Sequence, residues 1–276
     1  MAVSKEIKQK HEQMFYPTVR VRAQKAGGSG TVVYSKQHDG EYHTYVITNH
    51  HVVSNCIHLE KKWDPVIKRK VDKEVLDTVS VEFFRYNNYS HTIGSFAVEA
   101  DIVAYSEVNG GQDWALLRVR DKENKADWIA KLFPLKDIDN VHIFDQTYAV
   151  GASLGHPPVA SEGMITYMDD EIEHYKYWMS SAPTIFGNSG GAVYRWSAAR
   201  KQYEYIGVPS RISIQPMGFS ADAITHMGYF IPIERVYKLL KENNYHFIYD
   251  EKVSFDDCEK KRNKTGDSDK KDSEDE

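Results

Sequence analysis

Hydrophobic and polar residues alternate near the start of the chain in the manner of a half-buried strand. Val19 and Val21 alternate with Arg20 and Arg22, so the valines fall on one face and the arginines on the other. Later apolar runs are rich in β-branched and aromatic residues, which favour strands. Further strands of this first half are predicted at 45–48, 79–84, 96–105 and 115–119.

The second half of the chain continues this pattern and then changes period. Apolar runs predict strands near 147–150, 164–167, 176–179, 192–196, 203–208 and 229–231. Pro232 follows and suits the start of a helix, with Val236, Leu239 and Leu240 as its buried face. The pattern therefore predicts an all-β chain with a C-terminal helix.

A serine between glycines is the strongest candidate for chemistry. In Gly187-Asn188-Ser189-Gly190-Gly191, glycine permits a sharp backbone turn around a single hydroxyl. Such a turn can aim the backbone N–H groups of Gly187 and Ser189 at one point, where an oxyanion would form. Asn188 lies between them and is included in the predicted oxyanion hole. The same composition suits an ordinary tight turn, so the motif alone leaves both interpretations open.

A histidine and an aspartate precede this serine. The apolar run 46–53 contains the pair His50 and His51, and Asp113 opens another apolar run. In a strand the two histidines face opposite ways, so only one can serve as a base. We prefer His51 and expect His50 to be a packed or surface residue. Asp101 is the rival of Asp113, but no Trp-Ala-Leu-Leu follows it.

This order of histidine, aspartate and serine resembles the chymotrypsin-fold (trypsin-like) serine peptidases, and most closely their HtrA/DegP-like branch. The resemblance covers roughly Thr18 to Lys241. It implies two six-stranded antiparallel β-barrels with a C-terminal helix, and we expect no PDZ domain after Asp250. The similar segments, besides the serine motif, are Gly28-Ser29-Gly30-Thr31, Thr48-Asn49-His50-His51-Val52-Val53, Asp113-Trp114-Ala115-Leu116-Leu117, Ala149-Val150-Gly151-Ala152 and Gly228-Tyr229-Phe230-Ile231-Pro232.

The resemblance implies a serine endopeptidase with His51, Asp113 and Ser189 as catalytic residues. A serine hydroxyl is a poor nucleophile unless a neighbouring base takes its proton. His51 would be that base and would then protonate the leaving amine, while Asp113 would hold the imidazole in the productive tautomer. Ser210 matches a family serine that hydrogen-bonds this aspartate.

Four residues are expected to bind substrate. Pro183, six residues before Ser189, matches the base of the pocket for the side chain that precedes the scissile bond. Neither Pro183 nor Thr184 is charged, so we expect small or medium apolar side chains there. Ser210 and Arg211 fall in the strand that pairs with the substrate backbone in the family. An acid from another loop, such as Asp222, would instead favour cleavage after Lys or Arg.

Composition and resemblance together divide the chain into five segments. The long segment between His51 and Asp113 contains surplus residues at 57–78, which are either a solvated surface insertion or a lid at the active site. The composition after Asp256 is charged, as in a disordered tail. The predicted segments are an N-terminal extension at 1–16, a first β-barrel at 17–120, a connection at 121–140, a second β-barrel with the C-terminal helix at 141–250, and a disordered charged tail at 251–276.

Charge and cysteine content limit the classes of binding partner and the cellular location that we expect. The net charge is −5, which argues against nucleic acid as a main partner. No apolar run is long enough to span a membrane, and the scattered histidines suggest no metal site and no cofactor. Cys56 and Cys258 are not expected to form a structural disulfide, which favours a reducing, cytoplasmic location. A protein or peptide substrate is the expected partner, and no oligomeric state is indicated.

Two alternatives remain open. One is a catalytically inactive homologue that binds peptides through the same cleft. The other is a processing protease, for instance a viral one, whose cleavage is restricted to a few sites. The intact set of His51, Asp113, Ser189 and Gly187 argues against the first alternative, because a binding module needs none of the triad.

Overall fold

The computed structural model describes residues 3–65, 67–106, 111–217 and 220–271. Its strands are β1 Thr18–Arg22, β2 Gly27–His38, β3 Glu41–Thr48, β4 Ile57–Asp64, β5 Arg69–Leu76, β6 Val79–Asn87, β7 His91–Tyr105, β8 Ala115–Val119, β9 Gln146–Gly151, β10 Val159–Ile172, β11 Tyr175–Ser180, β12 Ala192–Ser197, β13 Gln202–Met217 and β14 Ser220–Pro232. Its α-helices are α1 Lys5–Lys10, α2 His50–Val53, α3 Ile233–Glu242 and α4 Phe255–Lys271.

Twelve of these strands close two antiparallel barrels. The first barrel has the order β1-β2-β3-β8-β7-β6, and pairing of β1 with β6 closes it. The second has the order β10-β11-β14-β13-β12-β9, closed by β9 against β10. Helix α3 follows β14 and buries Val236, Leu239 and Leu240. The predicted fold class of two six-stranded antiparallel barrels with a C-terminal helix is confirmed.

Strand β1 shows why the alternating pattern folds in this way. Val19 and Val21 are fully buried, whereas Arg22 is exposed and Arg20 is half-buried. Burial of the valine face removes apolar area from water, which is the main force holding a barrel strand to its core. Both valines belong to the core of the first barrel, so the predicted half-buried strand is present.

A larger core joins the second barrel to one side of the first. It contains Trp114, which is fully buried beside the start of β8, together with Tyr45 and Ile47 of β3. Leu240 of α3 belongs to the same cluster. The catalytic candidates near residues 48–51 and 113 are therefore anchored by side chains that pack against both barrels.

The surplus segment 57–78 forms a separate arm. Strands β4 and β5 pair with each other as a two-stranded sheet, outside both barrels. Leu59 and Trp63 on this arm are largely exposed. None of the described residues of the arm lines the cavity at Ser189. The structure therefore shows no contact of the arm with this cavity that would support the lid interpretation.

The prediction of a disordered tail from residue 251 is wrong for the described part of that segment. Helix α4 begins at Phe255, and the side chains of Phe255 and Cys258 are buried. Phe255 packs against the rings of His38 and Phe247 at centroid distances of 4.0 and 4.9 Å. These isolated apolar positions stabilise the helix on the first barrel despite the charged composition around them.

Candidate active site

The histidine pair lies on a one-turn helix and not in a strand. Strand β3 ends at Thr48, and α2 begins at His50, so the premise that the two histidines face opposite sides of a strand is wrong. Val52 and Val53 are buried and anchor the turn. His51 keeps 49% of its side chain exposed, whereas His50 is buried. His51 is therefore the accessible histidine of the pair, and its choice as the base stays a prediction.

His50 is packed in the interior beside the cleft. Its ring stacks on Tyr105 with centroids 5.5 Å apart. Burial lowers the pKa of His50, and the charge of His51 lowers it further, although nearby Asp113 opposes the change. His50 is therefore held as a neutral imidazole that contributes packing.

Asp113 accepts hydrogen bonds from three groups that surround its carboxylate. The backbone N–H of His51 lies 3.0 Å from Oδ1, and His51 Nδ1 lies 2.8 Å from Oδ2. The Ser210 hydroxyl donates to Oδ2 at 2.5 Å. Asn49 also donates to the Asp113 carbonyl oxygen at 2.7 Å. This arrangement fixes both the orientation and the tautomer of the His51 ring.

The electrostatics of this network favour an ionised aspartate. Burial alone would raise the pKa of Asp113, but hydrogen bonds and charge from His51, together with the Ser210 hydroxyl, hold the pKa below its ordinary value. The backbone at Asp113 has a φ of +48°, a conformation that non-glycine residues rarely adopt. Such a conformation persists only where surrounding contacts determine it.

Arg235 is one of those contacts, and the sequence patterns did not identify it. Its guanidinium donates to the carbonyl oxygens of Gly111 and Gln112 at 3.3 and 3.1 Å. The same group lies 4.8 Å from the Tyr175 ring centroid and 4.7 Å from that of Tyr177. Arg235 comes from α3, 122 residues after Asp113, so only the tertiary fold reveals that it supports this loop.

The serine motif forms the predicted turn. Gly187 and Gly190 have φ values of +97° and +83°, in the region that favours glycine. A Cβ on Gly187 would lie 2.6 Å from both Ala152 O and Leu154 N, and one on Gly190 would overlap Ser29 O. Glycine is therefore required at both positions by backbone conformation and by space.

The hydrogen bonds of the turn identify its available donors. Asn188 N–H donates to Ile185 O, Gly190 N–H to Pro209 O, and Gly191 N–H to Asn188 O. Among the hydrogen bonds between described residues, none uses the N–H of Gly187 or Ser189. Leu154 N–H binds Phe186 O, so the N–H on the opposite side of that trans peptide, at Gly187, points away from Leu154. These two N–H groups are the candidate oxyanion donors.

Asn188 does not act as the third donor that was predicted. Its N–H is already bonded, and its side-chain Oδ1 accepts from Ser153 Oγ at 2.7 Å and from Ile185 N at 3.2 Å. Asn188 is also buried. It braces the turn, and the prediction that it belongs to the oxyanion hole is wrong.

A cavity of about 280 Å³ brings the remaining candidates together. It is lined by His51 and Ser189, by Ser210 and Arg211 of β13, and by Thr184. No hydrogen bond joins Ser189 to His51 among the described residues, so their relation is that of two groups on one cavity. Apolar lining from Ile185, Phe186 and Ile212 was not anticipated, although the first two directly precede the serine motif.

Pro183 does not lie where it was predicted. Its side chain is exposed and is not among the groups lining the cavity, and its carbonyl oxygen accepts a hydrogen bond from Ser161 at 2.6 Å. Thr184 is buried, and its hydroxyl has no partner among the described residues. Alignment by spacing placed the pocket one residue too early, because the exposed Pro183 is followed by Thr184, which is buried and lines the cavity.

Arg211 and Asp222 also have defined surroundings. Arg211 pairs with Glu173 at 2.9 Å, and its guanidinium lies 5.6 Å from the Tyr177 ring centroid. Asp222 pairs with Gln215 along the β13–β14 ladder and does not line the cavity. Over the described ranges, no cluster of His, Cys, Asp or Glu has the size needed to hold a metal ion. Among the helices of the described residues, none is both long and apolar enough to cross a membrane.

Comparison with known proteins supplies an independent result. The family described as "Trypsin-like peptidase domain" matches residues 28–200. No sequence among the curated proteins matches the chain significantly.

Solved structures of HtrA-type proteases have a similar fold. The HtrA-type protease AlgW with a tripeptide has a TM-score of 0.57 and 17% identity, covering 90% of this chain and 64% of that one. Deg5 has a TM-score of 0.55 and 17% identity, over 86% and 94% of the two chains. A serine endoprotease from Yersinia pestis has a TM-score of 0.54 and 17% identity, over 87% and 67%. The chain thus spans 64% of the AlgW chain.

Proposed function

Because this chain belongs to the trypsin-like peptidase domain family, we propose that it is a serine endopeptidase that cleaves proteins or peptides through an acyl-enzyme. The observation that carries the proposal is the pair of N–H groups at Gly187 and Ser189, which have no acceptor among the described residues. They lie on a turn whose serine shares a cavity with His51, the residue that is bonded to Asp113. A peptide-binding module would need neither the donors nor the base. AlgW was determined with a tripeptide, which supports a peptide as the substrate class.

Acylation follows from the orientation of His51. Its Nδ1 faces the Asp113 carboxylate, which leaves Nε2 to accept the proton of the Ser189 hydroxyl. Ser189 Oγ attacks the scissile carbonyl, and the N–H groups of Gly187 and Ser189 stabilise the oxyanion by about 3 kcal/mol each. The proton held by His51 then passes to the leaving amine, and the C–N bond breaks.

Deacylation uses the same groups in reverse. A water molecule takes the place of the amine, His51 accepts its proton, and the hydroxide attacks the Ser189 ester. As the tetrahedral species collapses, His51 returns its proton to Ser189 Oγ, the Oγ–C bond breaks, and the carboxylic acid product is released. Asp113 remains ionised throughout and stabilises the imidazolium, because its pKa is held below the ordinary value.

We also propose a preference for small or medium apolar side chains before the scissile bond. Thr184, Ile185 and Ile212 line the cavity beside Ser189, and no carboxylate is among its described lining. Burying a substrate lysine or arginine without a partner there carries a desolvation cost of several kcal/mol. An apolar side chain gains roughly 25 cal/mol for each Å² buried.

Labelling with a fluorophosphonate probe, followed by peptide mapping, tests the proposed chemistry. The probe should react with Ser189, and Ser189→Ala should remove both labelling and peptide cleavage while the fold is retained. Ser90→Ala is the control, because its hydroxyl contacts His11 and Ser90 does not line the cavity at Ser189. A peptide library with the same enzyme should yield cleavage after Val, Ala or Leu, and preferred cleavage after Lys or Arg would refute the apolar pocket.

A label on another serine, or retained turnover in Ser189→Ala, would overturn the proposal. Peptide binding without any labelling would favour the inactive homologue. Cleavage of very few library members would favour the processing protease of narrow specificity. Cys56 and Cys258 are buried and form no disulfide, which supports the further proposal of a reducing, cytoplasmic location.

A further inference from the structure

A second cavity lies on the other side of the serine turn. It has a volume of about 420 Å³ and shares Phe186 with the cavity at Ser189. Gly187, one of the two candidate oxyanion donors, lines it directly. We refer to it as the arginine cavity, after Arg20 and Arg22 of β1, which also line it, as do Gly28 and Leu154.

The charges around the arginine cavity are unequal. Arg20 and Arg22 both pair with Glu82 of β6, at 2.5 and 3.0 Å, and the described lining of the cavity contains no carboxylate. Burial alone would raise the pKa of Glu82, but hydrogen bonds from Ser95 and Arg20 hold the pKa below its usual value, so Glu82 carries one negative charge. Two guanidinium groups against one carboxylate leave one positive charge at this wall.

The two arginines are not equivalent. Arg20 keeps only 16% of its side chain exposed, and it binds both Glu82 and the Gly155 carbonyl oxygen. Its guanidinium also lies 5.6 Å from the Phe84 ring centroid. Arg22 is 57% exposed and makes one ion pair. Arg20 is therefore a fixed part of the wall, whereas Arg22 has donors that a ligand can reach.

The position of the cavity determines which part of a substrate would enter it. This step rests on the proposed endopeptidase function. If the acyl part of the substrate follows Ser210–Ile212 of β13 and the scissile carbonyl lies at Gly187 and Ser189, the leaving segment must continue past Gly187, away from β13. Gly187 opens into the arginine cavity on that side, between the exposed side chains of Phe186 and Leu154.

We propose that Arg22, on the positively charged wall formed with Arg20, selects a carboxylate within the first three residues after the scissile bond. Charge-assisted hydrogen bonds from a guanidinium to a carboxylate are stronger than neutral ones. The carboxylate can be the side chain of Asp or Glu, or the free C-terminus of a short substrate. Both sources present the same group to the same donors.

Matched fluorogenic peptides test this proposal. The peptides share the sequence up to an apolar residue at the scissile bond and carry Glu or Gln at one of the next three positions, with an amidated C-terminus. A further pair has Gln at all three positions and ends there as a free acid or as an amide. For the wild-type enzyme we expect kcat/KM to be about threefold to tenfold higher for the carboxylate member of a pair.

Arg22→Gln should reduce this preference to less than about twofold, and Arg22→Glu should reverse it, so that the uncharged member of each pair is cleaved faster. Arg120→Gln is the matched control, because Arg120 is similarly exposed and ion-paired but lies among Glu99 and Asp101. The preference should also weaken as salt is raised from 0.05 to about 0.5 M, since an exposed ion pair is screened.

Equal rates for the members of every wild-type pair, or an unchanged preference in Arg22→Gln, would overturn the inference while leaving the endopeptidase proposal intact. Binding of the same peptides to Ser189→Ala, measured by fluorescence anisotropy, separates the two proposals. Absence of turnover in the wild-type enzyme, together with discrimination between the paired peptides in binding, would refute the proposed chemistry but support the arginine cavity. Selection confined to the free-acid member would identify the C-terminal carboxylate as the source.

Discussion

At the scale of single residues, the two adjacent histidines have opposite environments, and this difference predicts opposite mutant phenotypes. His51→Ala removes the group bonded to Asp113 at 2.8 Å, so kcat should fall on the order of 10⁴-fold or more with little change in stability. His50→Ala removes a ring packed on Tyr105, so it should cost about 1–2 kcal/mol of unfolding free energy and less than tenfold in kcat. Steady-state kinetics of both variants measure kcat, and urea unfolding measures their stability. The reverse ranking in kcat would make His50 the base.

The sequence could single out His51 and Asp113 because each is followed by an apolar segment, and Ser189 because glycines surround it, although their catalytic roles stay predictions. His51 is followed by the buried Val52 and Val53, and Asp113 by the buried Trp114. The prediction that Pro183 forms the base of the pocket failed because position along the chain does not fix the direction of a side chain. The neighbouring Thr184 is the buried residue. The prediction that Asn188 belongs to the oxyanion hole failed because its N–H donates a hydrogen bond within the turn, which the composition alone does not show.

At the scale of elements, the strands and α3 follow from periodicity, whereas two elements depend on tertiary packing. The apolar run into the histidine pair ends as a strand at Thr48, because α2 must turn away to bring His51 to Asp113. Helix α4 lies in a charged segment and is held by Phe255 and Cys258, which pack on surfaces that no local pattern describes. Periodicity cannot predict an element whose partner is distant in the chain.

The attachment of α4 should depend on pH. Burial lowers the pKa of His38 and of His43, whose rings lie 4.0 and 4.6 Å from Phe255. Asp39, Asp256 and Glu259 oppose this at His38, as Glu41 and Glu259 do at His43, whereas Lys36 and Arg118 act with burial. Because the folded pKa values lie below about 6.5, the docked state is fully stable above that pH and loses stability as the pH falls through it.

Hydrogen exchange of residues 255–262 between pH 7.5 and 5.5, corrected for intrinsic rates, measures this effect. We expect protection to fall with pH in the wild type and to fall less in His43→Gln. His58→Gln should behave as the wild type, because His58 lies on the β4–β5 arm. Protection that is independent of pH, or that rises on acidification, would contradict the argument.

At the scale of the whole molecule, the candidate active site depends on contact between the two barrels. Ser29 of β2, in the first barrel, donates its hydroxyl hydrogen to Gly187 O at 2.6 Å and accepts from Ala152 N at 2.6 Å, both in the second barrel. Its backbone N–H also donates to Ser189 O at 2.8 Å. One fully buried residue of the first barrel therefore holds the oxyanion turn of the second.

Ser29→Ala tests this coupling, because Ser35 in the same strand offers a matched control. Ser35 is equally buried and also makes two hydrogen bonds, to Thr44 Oγ1 at 2.7 Å and from Ala126 N at 3.0 Å, but away from the active site. Each substitution leaves buried polar groups unpaired and should lower the unfolding free energy by about 1–3 kcal/mol. Only Ser29→Ala should also lower kcat, by about tenfold or more, because Gly187 is displaced from the oxyanion.

Urea unfolding, together with kcat measured at temperatures well below the unfolding midpoint, separates the effect on stability from the effect on activity. An equal loss of kcat in Ser35→Ala would mean that activity follows overall stability, and an unchanged kcat in Ser29→Ala would mean that the second barrel shapes the oxyanion turn without the first.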